Sequence, residues 1–212
     1  GCDDAGEGGC HAGGQETAMK TILQFHEEAE FLRESSGSNI EKALVKAVKV
    51  LALFHIPHYV CGGFAVQEHG YPRFTVDVGI IVPDVDFARE RLALNGFKEN
   101  PGSKMTVTDR DTQVEIDLLP GGNKVDPGPL TFPVPTHVSS EPQILTLQDL
   151  ISLKLSTYIG RGVHRIQDYA DVVKLIEANH LPRDYGVDVK VRDAHRKAWD
   201  EIHFVHCPTE GR

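Results

Sequence analysis

An aspartate stands inside an apolar run. Residues 74–82 read Phe-Thr-Val-Asp-Val-Gly-Ile-Ile-Val, and β-branched density of that kind makes a strand. Period-2 alternation puts Thr75, Asp77, Gly79 and Ile81 on one face and Val76, Val78, Ile80 and Val82 on the other. A buried carboxylate without a partner is costly, so Asp77 calls for an explanation. Upstream, Ile56-Pro57-His58-Tyr59-Val60 also reads as a strand, and Gly62-Gly63 turns the chain into a short helix. Two glycines allow a sharp turn and close approach to a ligand, while a helix start offers free N–H groups to an anion. Taken alone, the glycine pair is only a turn.

The longer string is more specific. Gly62-Gly63, Ala65, His69-Gly70, Arg73, Thr75 and Asp77 fall at the spacing of the minimal nucleotidyltransferases of the polymerase-β-like superfamily. The chain resembles most the resistance-type and toxin–antitoxin-type members of bacteria and archaea. In that family the second strand reads Arg-x-Thr-x-Asp-x-Asp, and its acids bind Mg²⁺ and the nucleoside triphosphate. Here the segment is Asp77-Val78-Gly79, so the second acid is missing. A third acid from a later strand is matched by Asp117 in Glu115-Ile116-Asp117-Leu118-Leu119. Glu115 shares a strand face with Asp117 and is the candidate substitute for the lost ligand, set against a plain solvent-facing role.

The resemblance implies an α/β (α+β) nucleotidyltransferase fold: a small mixed twisted sheet with helices packed on one side, plus a C-terminal helical portion. It implies Asp77 and Asp117 as catalytic metal ligands, with Glu115 as a further metal candidate. It also implies nucleotide contacts from Gly62, Gly63, Arg73, Thr75, Lys154 and Arg161. The activity expected is Mg²⁺-dependent transfer of a nucleoside monophosphate from an NTP to an acceptor hydroxyl, weakened by Gly79. The alternative is an inactive nucleotide-binding or protein-interaction module of the same fold. Family likeness extends to Leu150-Ile151-Ser152-Leu153-Lys154-Leu155 followed by Arg161, Arg165, Asp168 and Asp171. Lys154, Tyr158 and Arg161 share a helix face, where a basic cluster would suit a triphosphate. Asp168 and Asp171 read as helix-start acids or salt-bridge partners.

The remaining chain sorts by pattern. Residues 1–18 are rich in Gly, Asp and Glu with little to bury, and read as a disordered tail. Residues 19–145 are expected to form the core and 146–212 a helical portion packed on it. Helices are expected over 19–33, from a Ser38-Asn39-Ile40-Glu41 capping box onward, over 87–95 behind caps at Asp84 and Asp86, over 147–159, over 166–179 and over 191–205. Lys104–Asp109 and Gln113–Leu119 form a hairpin, and the prolines and glycines of 120–137 mark a loop.

A net charge of −9 argues against a general nucleic-acid binder. Four cysteines without a CxxC pair fit a reduced, cytoplasmic setting, and neither a signal peptide nor a membrane-length apolar run is visible. Cys2, Cys10 and His11 match no common zinc spacing, and the His203–His206 pair is a common pattern without metal. His69 reads as a loop packing residue. The expected partners are a nucleotide and an acceptor of unspecified kind, with a homodimer compatible with the chain.

Overall fold

The computed structural model describes residues 39–204. The expected helix over 19–33, the tail, Ser38 of the capping box, and His206 and Cys207 lie outside the described residues.

The first helix among the described residues, α1 (39–53), buries Ile40, Ala43, Leu44, Ala47, Val48 and Leu51, the stripe its 3.6-residue period creates. It leads to β1 (Tyr59–Cys61), which passes directly into α2 (Gly62–Glu68). β2 (Asp77–Val82) follows, then α3 (Val85–Leu94), whose first turn is capped as expected, with Asp84 Oδ1 accepting from the Phe87 amide at 3.0 Å. β3 (Phe97–Glu99) and the hairpin of β4 (Thr106–Asp109) and β5 (Glu115–Pro120) complete a five-stranded sheet of order β1-β2-β5-β4-β3. β2 and β5 run parallel at its centre, and the other pairs are antiparallel.

Both faces of this sheet are covered, which corrects the expectation of helices on one side. Val60, Val78, Ile80, Val82, Ile116 and Leu118 pack with α1 and α3 in one core. Cys61 and Ile81 point the other way, into a second core with α2 and the C-terminal helices. Those helices are α4 (Leu147–Arg161), α5 (Ile166–Ala178) and α6 (Arg192–Phe204). Thr146 caps α4 by accepting from the Asp149 amide at 3.2 Å. Residues 150–156 of α4 are buried in sequence, because the helix is packed among α2, α5 and α6.

Two ties lie beyond reach of periodicity. The outer edge of β1 is closed by the segment before α4: the Val60 amide donates to the Gln143 carbonyl at 2.7 Å and the Leu145 amide to the Val60 carbonyl at 2.9 Å. Lys46 of α1 reaches the hairpin, 2.5 Å from the buried Asp109 carboxylate and 2.7 Å from Asp111. Burial alone would push the Asp109 carboxyl up, but Lys46 and the Thr112 hydroxyl and amide hold it below its ordinary value.

Candidate functional site

Register places one row of side chains across the sheet. Cys61 of β1 is opposite Gly79 of β2, Gly79 is opposite Asp117 of β5, and Asp117 is opposite Thr106 of β4. One step along, Asp77 is opposite Glu115. All lie on the face that α2 and the C-terminal helices share, so β-sheet parity brings Asp77 and Asp117 to one place.

Each acid is held by a threonine. The buried Thr75 hydroxyl donates to Asp77 Oδ1 at 3.0 Å, and the Thr106 hydroxyl to Asp117 Oδ1 at 2.7 Å. The Asp117 carboxyl is raised above its ordinary value by burial first, and by the neighbouring charges of Asp77 and Glu115, against the Thr106 hydrogen bond. Among the described residues no Lys, Arg or His side chain forms an ion pair with Asp77, Asp117 or Glu115, whereas the buried acids Asp109, Asp168 and Asp171 are all paired. Glu115 is exposed and accepts from Asn100 Nδ2 at 3.1 Å, which turns it toward the β3–β4 connection.

The glycine pair has a packing role visible in its geometry. Gly62 adopts φ +75°, a conformation that favours glycine. A Cβ on Gly63 would lie 2.5 Å from Thr75 Oγ1, so α2 sits against the threonine that holds Asp77. His69 packs in the loop: its Nε2 is 2.7 Å from the Leu145 carbonyl.

The basic residues of the sequence are not gathered at one anion site. Lys154 is buried, its ammonium donating to Asp168 Oδ1 at 3.0 Å and Asp171 Oδ2 at 2.6 Å. Arg73 reaches the same Asp171 oxygen at 2.5 Å, and Gln167 donates to the other at 2.9 Å. Arg165 closes the group on Asp168 Oδ2 at 2.9 Å. Tyr158 packs against Tyr169 with ring centroids 4.6 Å apart and planes tilted by 31°, and the exposed Arg161 donates to the Asp126 carbonyl at 3.2 Å. A shared helix face therefore does not become a shared ligand. Lys154 is close enough to Cys61 to favour its thiolate, yet burial, with Asp117 and Asp77, pushes that thiol up to about 12, so it is an inert SH.

A divalent cation is the group the resemblance implies here. The residues offer two carboxylates, each with one oxygen already hydrogen-bonded, and among the described residues no three His, Cys, Asp or Glu side chains converge as a metal cluster. That set suits one Mg²⁺ ion held by one or two carboxylates, water and substrate phosphates. Gly79 supplies no ligand for a second ion, and Glu115 has one carboxylate oxygen engaged by Asn100.

No family model matches the chain, and no curated protein matches it. Among solved structures, the solution structure of the antibiotic-resistance factor ANT(2'')-Ia aligns over 76% of this chain and 90% of that one, at 11% identity with a TM-score of 0.42. At that identity no residue role passes from one chain to the other.

Thr106 and Asn100, which fix the orientation of Asp117 and Glu115, were not legible as site residues. The signal that exists is parity: Thr106 falls in the hairpin arm that pairs with Asp117.

Proposed function

We propose that the protein is a nucleotidyltransferase-type protein that binds a Mg²⁺-nucleotide at the Asp77–Asp117 end of the sheet, and that transfers a nucleoside monophosphate to an acceptor hydroxyl slowly. The observation that carries this reading is the contrast in charge pairing. Among the described residues, two half-buried acids share one sheet face with no ion pair, while the three buried acids, Asp109, Asp168 and Asp171, each have a cation. Like charges in that arrangement raise a pKa and favour capture of a cation. In this reading Asp77 and Asp117 hold the ion. Thr75 and Thr106 orient them, and the backbone of the Gly62-Gly63 turn is the proposed phosphate contact. Arg73 and Lys154 fix the surroundings through Asp171.

When bound, the ion supplies charge neutralisation of the phosphate oxygens. Positioning and charge neutralisation account for most of the rate in phosphoryl-type transfer, so the missing acid weakens turnover more than binding.

A second reading, a nucleotide-binding module without transfer activity, is favoured by one observation: Glu115 is hydrogen-bonded to Asn100 rather than turned into the place of the lost acid. Titration calorimetry with ATP and Mg²⁺, followed by incubation with α-labelled NTPs, separates the two. Binding that needs Mg²⁺ and is lost in Asp77→Asn and Asp117→Asn supports both; slow labelling selects the first. Absence of NTP binding with Mg²⁺ present overturns the proposal.

A further inference from the structure

The row across the sheet gives Gly79 an unusual neighbour. A Cβ built on Gly79 would lie 3.0 Å from Cys61 Sγ and 3.6 Å from the Cys61 carbonyl carbon and oxygen. Ordinary non-bonded carbon contacts lie at about 3.5–4.0 Å, so a side chain at 79 fits only if the thiol gives way by a few tenths of an ångström. Cys61 is itself 5% exposed, in the core beneath α2, and has little room to swing aside.

From these contacts we infer that Cys61 and Gly79 form one steric unit that closes the second-acid position, so that the identity of residue 61, and not of residue 79 alone, determines how many carboxylates the site presents. The inference deepens the reading of the site as a cation–nucleotide site and rests on it for its metal consequence. The steric part stands on the contact alone. An acid introduced at 79 meets the thiol before it meets an ion. Restoring a ligand therefore takes two changes, a smaller residue at 61 together with Asp at 79. Cys61 is in this sense a positioning residue, acting through the space above Gly79 and touching no reactant.

Two variant cycles in the full chain test this. In the first, Gly79→Ala, Cys61→Ala and their combination are compared by thermal unfolding without ligand. Gly79→Ala is expected to lower Tm, and Cys61→Ala to recover most of that loss when combined with it. Additive Tm changes overturn the inference, because independent sites add. In the second, Mn²⁺ binding is measured for Gly79→Asp and for Cys61→Ala/Gly79→Asp. The double variant is expected to bind Mn²⁺ about tenfold more tightly than the unaltered chain, and Gly79→Asp alone to gain little. Equal gains in the single and double variants, or none in a folded double variant, overturn the metal consequence. A chain that binds no Mn²⁺ in any form, yet shows Tm coupling, sinks the functional reading while leaving the steric unit intact.

Discussion

The guanidinium of Arg73 meets the fully buried carboxylate of Asp171 at 2.5 Å, tying the segment that enters β2 to helix α5. The same oxygen accepts from Lys154, so one carboxylate joins the loop before Asp77, α4 and α5. This explains how an acidic chain buries a lysine: the charge is matched inside the fold and makes no anion pocket.

Asp171→Ala should therefore be among the more damaging single changes. It leaves Lys154 with Asp168 alone and removes the ion-pair partner of Arg73, and loss of one partner from a buried pair costs about 3–5 kcal/mol. Chemical denaturation should show the fall in midpoint. A loss below about 1 kcal/mol would mean the network is solvated in solution.

Gly63→Ala should destabilise before it affects any ligand. The added methyl meets Thr75 Oγ1 at 2.5 Å and Thr75 Cβ at 2.9 Å. Overpacking of this kind costs about 1–3 kcal/mol. Weakened nucleotide binding with an unchanged melting temperature would instead mark Gly63 as a pure ligand contact.

Asp117→Asn should stabilise the protein at neutral pH. The folded Asp117 carboxyl is raised above its ordinary 3.8. Its favourable contribution is thus fully present below that value and lost as pH rises through the raised folded value. The asparagine keeps an acceptor for Thr106 and carries no charge. Melting temperatures of the two proteins should differ most near neutrality and converge as pH falls toward about 3.8. A variant less stable at every pH would contradict the assignment.

Acid should destabilise the fold at its histidines. His58 and His195 are fully buried and their ring nitrogens make no hydrogen bond, although the backbone of Ile56 and Glu141 lies near the first and that of Arg183 near the second. Tyr185 packs on His195 with centroids 6.0 Å apart, and Asp184 is the nearby acid. Burial lowers both pKa values from 6.5, so the stability they allow is present above 6.5 and lost as pH falls through the lowered values. His195→Phe should flatten the decline between about pH 6.5 and pH 5. An unchanged slope would place the loss elsewhere.

Much of the site was legible because β-strand parity is local information. The faces of β2 and β5, and the caps at Asp84 and Thr146, follow from residues adjacent in sequence. The run Ile80-Ile81-Val82 held a further signal, since continuous apolar strands are buried on both faces, as this sheet is. β3 gives no such signal, because Phe97-Lys98-Glu99 has one apolar residue and lies at an edge. Asp168 and Asp171 read as helix-start or salt-bridge acids and do form salt bridges, but the identity of their partner Lys154 was hidden for another reason. The partners of Lys154 lie on a different helix, and helical spacing specifies only neighbours on the same one. The contact between Cys61 and Gly79 likewise requires the register of β1 on β2.

The closure of β1 by Gln143 and Leu145 bears on how the chain is made. Strands β1 to β5 are all synthesised before those two residues leave the ribosome. Until then Val60 presents a free amide and carbonyl at a strand edge, the kind of template on which nascent chains pair wrongly. The strand beside the Gly62-Gly63 turn is sealed only when translation has passed the long proline- and glycine-rich loop, so ribosome-bound chains halted before residue 143 should be the ones that most need a chaperone.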